Sequence, residues 1–148
     1  MLRFDNMPSD FNPLFLFLGD DDDLAALARL LYEFARELRA INVRESLPDA
    51  GGRSQLTIIP GEGLAPYGMR ASSEHNHFTW MLNSWQAGQI AARVEALTPP
   101  ELKSGNDILE LGLEGEIPVK VSRGEFTDNF LTPKHHLDPD YQPNSRGN

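Results

Sequence analysis

The sequence predicts an α+β fold with the element order β-α-β-β-α-β-β, in which two helices pack on one face of a mainly antiparallel sheet. Short apolar or alternating stretches, typical of strands, separate two longer stretches with helical periodicity. A length of 148 residues suits one domain with its own hydrophobic core. We therefore expect a single domain over residues 14–131, a polar lead-in over 1–13 and a poorly ordered tail over 132–148.

The clearest predicted element is a helix over residues 20–41. Its apolar side chains recur at steps of three and four, which places them on one face of a helix: Leu24, Leu27, Leu31, Phe34, Leu38 and Ile41. The run Asp20–Asp23 lies at its start, where free backbone N–H groups and the positive end of the helix dipole favour carboxylates. A Mg²⁺ or Ca²⁺ site is the alternative, but the run lacks the spacing of a calcium loop, so we predict helix capping.

Shorter patterns predict the first three strands. The run Leu14–Leu18 is continuously apolar, which is typical of a central strand covered on both faces. Gln55–Ile59 is a second strand, and residues 60–76 form a long connection without periodicity. His77–Leu82 alternates and places three apolar side chains on one face: Phe78, Trp80 and Leu82.

A second helix is predicted to begin near Asn83 or Ser84 and to end before Pro99. Residues 107–113 and 116–122 should form a hairpin whose second arm is an edge strand, because Pro118 cannot donate a ladder hydrogen bond. We find no internal repeat. The first six elements are similar in order to a ferredoxin-like arrangement, with one strand added at the end.

Composition and charge exclude several functional classes. The chain has no cysteine, which excludes disulfides, thiolate catalysis and cysteine-based zinc sites. A net charge of −9 without any run of lysine or arginine disfavours binding to nucleic acid or to an anionic membrane. The apolar run Leu14–Leu18 is too short for a signal core or a membrane span, so we expect a soluble, cytoplasmic protein.

Residues 67–85 hold the main candidate site. His75 and His77 share one face of an extended chain and could bind one metal ion, but the sequence identifies no third ligand. Aromatic and sulfur-containing side chains common in binding hot spots and ligand pockets lie nearby. As a ligand or partner surface we select Tyr67, Met69, His75, His77, Trp80 and Trp85. Phe78 and Trp80 are also typical of a core.

The C-terminal region holds two further candidates. Phe126, Phe130 and Leu131 could dock back on the domain. A richer set of metal-ligand types follows in the predicted tail, where ordering a site costs conformational entropy: His135, His136, Asp138 and Asp140.

The sequence shows no catalytic constellation and no cofactor or metal motif, so we favour a protein without a cofactor that is not an enzyme. We predict an interaction module that binds itself, for example as a homodimer, or masks a basic partner surface as an inhibitor or immunity protein would. The alternative is a small-molecule-binding or metal-binding domain or an enzyme. Its pocket would lie among the 60–76 loop, the two histidines and the aromatic residues, with His77 as acid, base or ligand.

Overall fold

The computed structural model describes residues 1–7, 13–102 and 105–123, and it has the predicted α+β class. The predicted tail and the docking of Phe126, Phe130 and Leu131 lie outside these residues. The described part contains eight strands and three helices. In chain order they are β1 Arg3–Met7, β2 Leu14–Gly19, α1 Asp21–Glu37, β3 Ile41–Asn42, α2 Val43–Ser46, β4 Gln55–Pro60, β5 Gly68–Ala71, β6 His77–Leu82, α3 Ser84–Glu95, β7 Gly105–Leu109 and β8 Val119–Arg123.

The strands form two four-stranded sheets, whereas the sequence predicts a single, mainly antiparallel one. Sheet A has the strand order β1-β2-β8-β7, and sheet B has the order β3-β4-β6-β5. In each sheet the two central strands are parallel, and each edge strand is antiparallel to its neighbour. The difference arises because β1, β3 and β5 carry no strong local pattern, and because β8 pairs with β2 instead of extending a meander.

The two sheets are alike because the chain consists of two units of the same topology. Unit 1 runs from β1 to β4 and contains α1, and unit 2 runs from β5 to β8 and contains α3. Phe15 lies opposite Val119 in sheet A, and Phe78 lies opposite Leu56 in sheet B. Equivalent residues therefore differ by 63 positions (78 minus 15, and 119 minus 56). Each sheet contains one hairpin from each unit.

This internal repeat corrects the prediction that there is none. Over residues 14–34 only two positions are identical at the shift of 63, Phe15 with Phe78 and Ala28 with Ala91. Similar folds need only a similar pattern of buried positions, so the repeat is visible in the pairing and hardly at all in residue identity.

The core lies between the sheets and beneath the two long helices. Across the sheets, Phe15 contacts Phe78 with ring centroids 5.2 Å apart, and Phe17 stacks on Trp80 at 5.8 Å. The hydroxyl of Ser84 donates a 2.7 Å hydrogen bond to the carbonyl oxygen of Ala35, so the start of α3 meets the end of α1. Each position that α3 buries is also buried in α1: Ala87 with Leu24, Ile90 with Leu27, Ala91 with Ala28 and Val94 with Leu31.

Both long helices, α1 and α3, begin at the predicted capping residues. Asp20 and Asp23 form a reciprocal capping box, in which each carboxylate accepts the other residue's backbone N–H at 2.9–3.0 Å. Asn83 and Gln86 form the equivalent box at the start of α3. These bonds satisfy backbone donors that have no partner within the helix.

The first helix ends at Glu37, earlier than predicted. Leu38 adopts a left-handed conformation with a φ of 52°, and its N–H bonds to the carbonyl oxygen of Phe34. Ile41 then begins β3. Leu38 therefore leaves the buried face of the helix and is 42% exposed.

The structure corrects three further predictions. The 60–76 stretch is interrupted by β5, which pairs with β6. The strand β8 is not an edge strand, because it lies between β2 and β7, and Pro118 precedes it. The carbonyl oxygen of Pro118 accepts the N–H of Phe15 at 2.9 Å. The lead-in over 1–13 contributes β1 and buries Leu2 and Phe4.

None of the helices in the described residues is long and apolar enough to cross a bilayer.

Candidate functional site

The six residues selected from the sequence do not form one site. Met69 and Trp80 are cross-strand neighbours in sheet B, and both are fully buried in the core. His75 and His77 lie at the start of β6, whereas Trp85 lies beyond its other end, in the first turn of α3. A strand of six residues spans roughly 20 Å, so the histidines and Trp85 are at opposite ends of sheet B.

The two histidines have few described partners. His77 places Nε2 3.4 Å from a carboxylate oxygen of Glu74, and about half of each side chain or more is exposed. His75 is exposed. In the described ranges, no group of three or more histidine, aspartate or glutamate side chains is placed to hold a metal ion. The acid–base or ligand role of these histidines stays a prediction.

Three apolar side chains are exposed at the end of sheet B where β6 finishes. Trp85 is 72% exposed, Leu64 is fully exposed, and Leu38 projects from the end of α1. The bond between Ser84 and Ala35 holds the first turn of α3 against the last turn of α1, beside Leu38. The loop that carries Leu64 begins where the N–H of Gly61 bonds to the last residue of β6. We call Leu38, Leu64 and Trp85 the tryptophan end.

The loop that carries Leu64 is held by its own hydrogen bonds. The hydroxyl of Tyr67 donates to the carbonyl oxygen of Gly63 at 2.9 Å. Arg70 donates to the carbonyl oxygens of Pro66 and Tyr67, both at 3.1 Å. Tyr67 thus supports the loop, and Leu64 is presented on an ordered backbone. A preorganised loop loses less entropy when it binds.

Charges of both signs lie close to the tryptophan end. Arg39 and Glu37 form an ion pair at 2.6 Å, and this hydrogen bond raises the pKa of Arg39. Arg36 adds one positive charge, and Glu33 and Glu62 add two negative charges nearby. The acidic run Asp20–Asp23 lies at the other end of α1, roughly 25 Å away along a helix of 17 residues. The protein therefore has one strongly acidic end, and an opposite end where charges of both signs surround exposed apolar side chains.

A groove lies between α1 and α2. Two adjoining cavities of about 510 and 770 Å³ share Ala26, Ser46 and Leu47. The first extends to Asp23, and the second follows α1 as far as Arg36. Neither cavity contains any of the six selected residues.

Arg44 holds the backbone of Ala50, which lines the first cavity. Its guanidinium lies over the ring of Phe4, 4.4 Å from the centroid, and donates to the carbonyl oxygens of Ala50 and Ser54 at 2.8 and 2.6 Å. Burial lowers the pKa of Arg44, and the nearby carboxylate of Asp5 partly opposes this effect. Asp5 also accepts a hydrogen bond from the hydroxyl of Ser54. These bonds fasten the segment after α2 to β1, which is a structural role.

Two other charged side chains also serve the backbone. The carboxylate of Glu116 accepts the consecutive N–H groups of Leu111, Gly112 and Leu113 at 2.8–3.1 Å. Arg123 is nearly buried and donates to carbonyl oxygens just beyond the end of α3. Both side chains therefore form these hydrogen bonds with the backbone of the same chain, which is a structural role.

Comparisons with known proteins give no assignment. No protein-family model matches the chain, and neither curated proteins nor solved structures show a significant match.

Sequence reasoning identified Trp85 but missed Leu38 and Leu64. The helical spacing assigned Leu38 to the buried face, because nothing in the sequence marks a left-handed leucine at a helix end. Leu64 offered a clearer signal, since it is a lone apolar residue between Gly63 and Ala65–Pro66. An apolar residue without strand or helix periodicity is a candidate for exposure.

Proposed function

We propose that this protein is a non-enzymatic interaction module that associates with a second copy of itself through the tryptophan end. The exposure of Trp85, at the same end of sheet B as Leu38 and Leu64, is the observation that carries the proposal. Tryptophan is enriched among residues that dominate binding energy, and large apolar side chains gain free energy when a contact removes them from water.

The repeat shows that the fold does not need a tryptophan at this position. Trp85 follows its capping residue, Asn83, by two positions, as Asp22 follows Asp20 in unit 1. Asp22 is exposed to solvent as well. The same helical position thus accepts an aspartate in one unit and a tryptophan in the other. Trp85 is available for a contact outside the chain.

The charge distribution supports a second copy as the partner. Two molecules with a net charge of −9 repel each other unless they meet where the charge is locally balanced. At the tryptophan end, Arg36 and Arg39 offset most of the negative charge of the nearby glutamates, which are Glu33, Glu37 and Glu62. The run Asp20–Asp23 then stays roughly 25 Å from the interface in each copy, well beyond a Debye length of about 8 Å. A two-fold contact would place the same apolar side chains against each other.

Size-exclusion chromatography with light scattering, over a range of protein concentrations, tests this proposal. We expect the wild type to reach twice the monomer mass as the concentration rises. Trp85→Asp, which introduces the residue found at the equivalent position of unit 1, should remain a monomer. Leu113→Asp is the matched control, because it makes the same change in charge at another partly exposed apolar residue. This control should associate like the wild type.

A wild type that stays monomeric at every concentration would reject self-association, as would a Trp85→Asp variant that dimerises normally. Native mass spectrometry of the same samples separates the other predicted functions. A monomer that retains a metal ion or small molecule would favour the ligand-binding alternative. A bare monomer would favour the version in which the acidic protein masks a basic partner.

A further inference from the structure

Sheet A buries side chains on the face that points away from the core. Phe15 and Phe17 of β2 point into the core cluster, so Leu16 and Leu18 point to the opposite side. Both leucines are only 4% exposed, although neither belongs to that cluster. On the neighbouring strand, Ser122 is fully buried. We call Leu16, Leu18, Lys120 and Ser122 the outer face of sheet A.

The register of the strands shows how this face is composed. Leu18 lies opposite Ser122, whose hydroxyl is buried and has no hydrogen-bond partner among the described residues. Leu16 lies opposite Lys120, and Ile108 of β7 continues this row with a partly exposed side chain. Asp5 and Arg3 of β1 lie in the same two rows, beside Leu16 and Leu18, and Asn106 of β7 lies beside Ser122. The face thus has two buried leucines and a buried hydroxyl on its central strands, and mainly polar residues on its edge strands.

The outer face of sheet B shows that the fold does not require such burial. At the shift of 63, Thr79 corresponds to Leu16, and Met81 corresponds to Leu18. Thr79 and Met81 remain partly exposed. The near-complete burial of the two leucines is a property of sheet A alone, and it requires a cover over that face.

We propose that residues 124–131 of the chain form this cover, with Phe126 and Phe130 packed against Leu16 and Leu18. The chain leaves sheet A at Arg123, directly after Ser122. The exit point is fixed, because the guanidinium of Arg123 donates to carbonyl oxygens of the segment after α3 at 2.8 and 2.6 Å. The proposal is independent of self-association through the tryptophan end.

The length of this segment suits the face. Eight extended residues reach about 26 Å. Four strands spaced about 4.8 Å apart span about 14 Å. Residues 124–131 can therefore cross the whole sheet from their starting point at the end of β8.

The sequence of the segment, GEFTDNFL, suits the chemistry of the face. Phe126 and Phe130 are four positions apart and share one side in either a helix or a strand. Glu125 and Asp128 carry negative charges, and the face offers the positive charge of Lys120. Backbone groups of the segment can also supply a partner for the buried hydroxyl of Ser122.

A disulfide cross-link tests the contact in the full-length protein, whose lack of cysteine provides a clean background. We would introduce Ile108→Cys on the outer face together with Asn129→Cys, and measure the rate of disulfide formation. The same pair would then be studied with Phe126→Ser and Phe130→Ser added. The serine substitutions do not change the length of chain between the two cysteines. A slower reaction therefore reports the loss of docking, and we expect the rate to fall roughly five-fold or more.

The pair Thr57→Cys and Asn129→Cys is the matched control, because Thr57 lies on sheet B at the position equivalent to Lys120. This pair should react slowly with or without the serine substitutions. Equal rates for the Ile108→Cys pair with and without Phe126 and Phe130 would overturn the proposal. A cross-link that joins two chains would also overturn it, since a second copy would then supply the cover.

Thermal unfolding provides a second test. Deletion of Pro133–Asn148 keeps the proposed cover and should leave the melting temperature unchanged. Phe126→Ser with Phe130→Ser should lower it by roughly 4 °C or more and increase the binding of a hydrophobic dye, because Leu16 and Leu18 become exposed. If the double serine variant melts like the wild type and binds no more dye, residues 124–131 do not cover sheet A.

Discussion

The two units of the chain agree in their buried positions and differ in the positions that face away from the core. Phe17 of unit 1 and Trp80 of unit 2 are equivalent, and both are aromatic and buried. On the outer faces, by contrast, unit 1 has Leu16 where unit 2 has Thr79. The same contrast appears in the first helical turns, where Asp22 corresponds to Trp85.

This comparison separates what the fold needs from what it merely permits. A position that is apolar in both units packs into the shared core, and the fold requires it. A position that differs between units is not required by the common backbone. Trp85 and Leu16 are of this second kind, so their apolar character calls for a contact outside the shared core.

The largest expected effects come from the buried positions. Leu31→Ala and Phe34→Ala should each lower the free energy of unfolding by about 2–5 kcal/mol, because both side chains are fully buried and leave cavities under α1. Val94→Ala, at the position of unit 2 equivalent to Leu31, removes less volume and should cost less. Urea denaturation measures all three. A change near zero for Leu31→Ala would show that α1 does not cover the core.

The capping residues should give intermediate effects that differ in their dependence on pH. Asp20→Ala and Asn83→Ala should each cost about 0.5–2 kcal/mol at neutral pH. The backbone N–H of Asp23 holds the pKa of Asp20 below its ordinary value of 3.8. The unfolded chain therefore binds more protons, and the contribution of Asp20 is present above pH 3.8 and is lost as the pH falls through the lowered pKa.

Denaturation at pH 7 and pH 3 tests this difference. Asp20→Asn keeps a good capping group that does not titrate, so it should reduce the loss of stability on acidification. Asn83→Ala should leave that loss unchanged. If Asp20→Asn loses as much stability between the two pH values as the wild type does, the carboxylate of Asp20 does not contribute to acid sensitivity.

Leu38→Gly should have a smaller effect, and one of opposite sign. A left-handed conformation costs a leucine about 1–2 kcal/mol, whereas glycine adopts it without strain. Glycine loses more conformational freedom on folding, which offsets about 0.5–1 kcal/mol of this gain, so the variant should unfold at a slightly higher denaturant concentration. It also removes an apolar side chain from the tryptophan end and should weaken self-association. A variant that is more stable and dimerises as strongly as the wild type would exclude Leu38 from the interface.

The smallest expected effect on stability is that of Trp85→Asp. The side chain is largely exposed, and unit 1 has an aspartate at this position, so the free energy of unfolding should change by about 0.5 kcal/mol or less. Denaturation should be measured well below the concentration at which the wild type dimerises. A loss of several kcal/mol under these conditions would mean that Trp85 packs within its own chain.

Local patterns were enough to predict seven elements of the fold: β2, α1, β4, β6, α3, β7 and β8. The apolar run of β2, the alternation of β6 and the helical spacing of α1 were all visible because each buries a regular set of side chains. Capping residues located the starts of both long helices. The hairpin of β7 and β8 was also recognised, although its connection over 110–118 is longer than predicted.

The remaining strands depend on their partners. β1 contains Asp5 and Asn6, β3 has only two residues, and β5 begins with Gly68. Their strand structure comes from pairing with β2, β4 and β6, which no local pattern reveals. For the same reason Met69 was placed in a loop although it is a core residue, while Leu38 was placed in the core although it is exposed.

The exchange of hairpins between the units joins distant parts of the chain in sheet A. Phe15 pairs with Val119, more than 100 residues later, and sheet B likewise joins a hairpin from each unit. Neither half of the chain can therefore complete a sheet alone. Such distant pairings raise the contact order. Chains of high contact order fold slowly, because long loops must close, at a cost in conformational entropy, before the stabilising contacts can form. During synthesis, the apolar strand β2 must wait for β8 before sheet A can form.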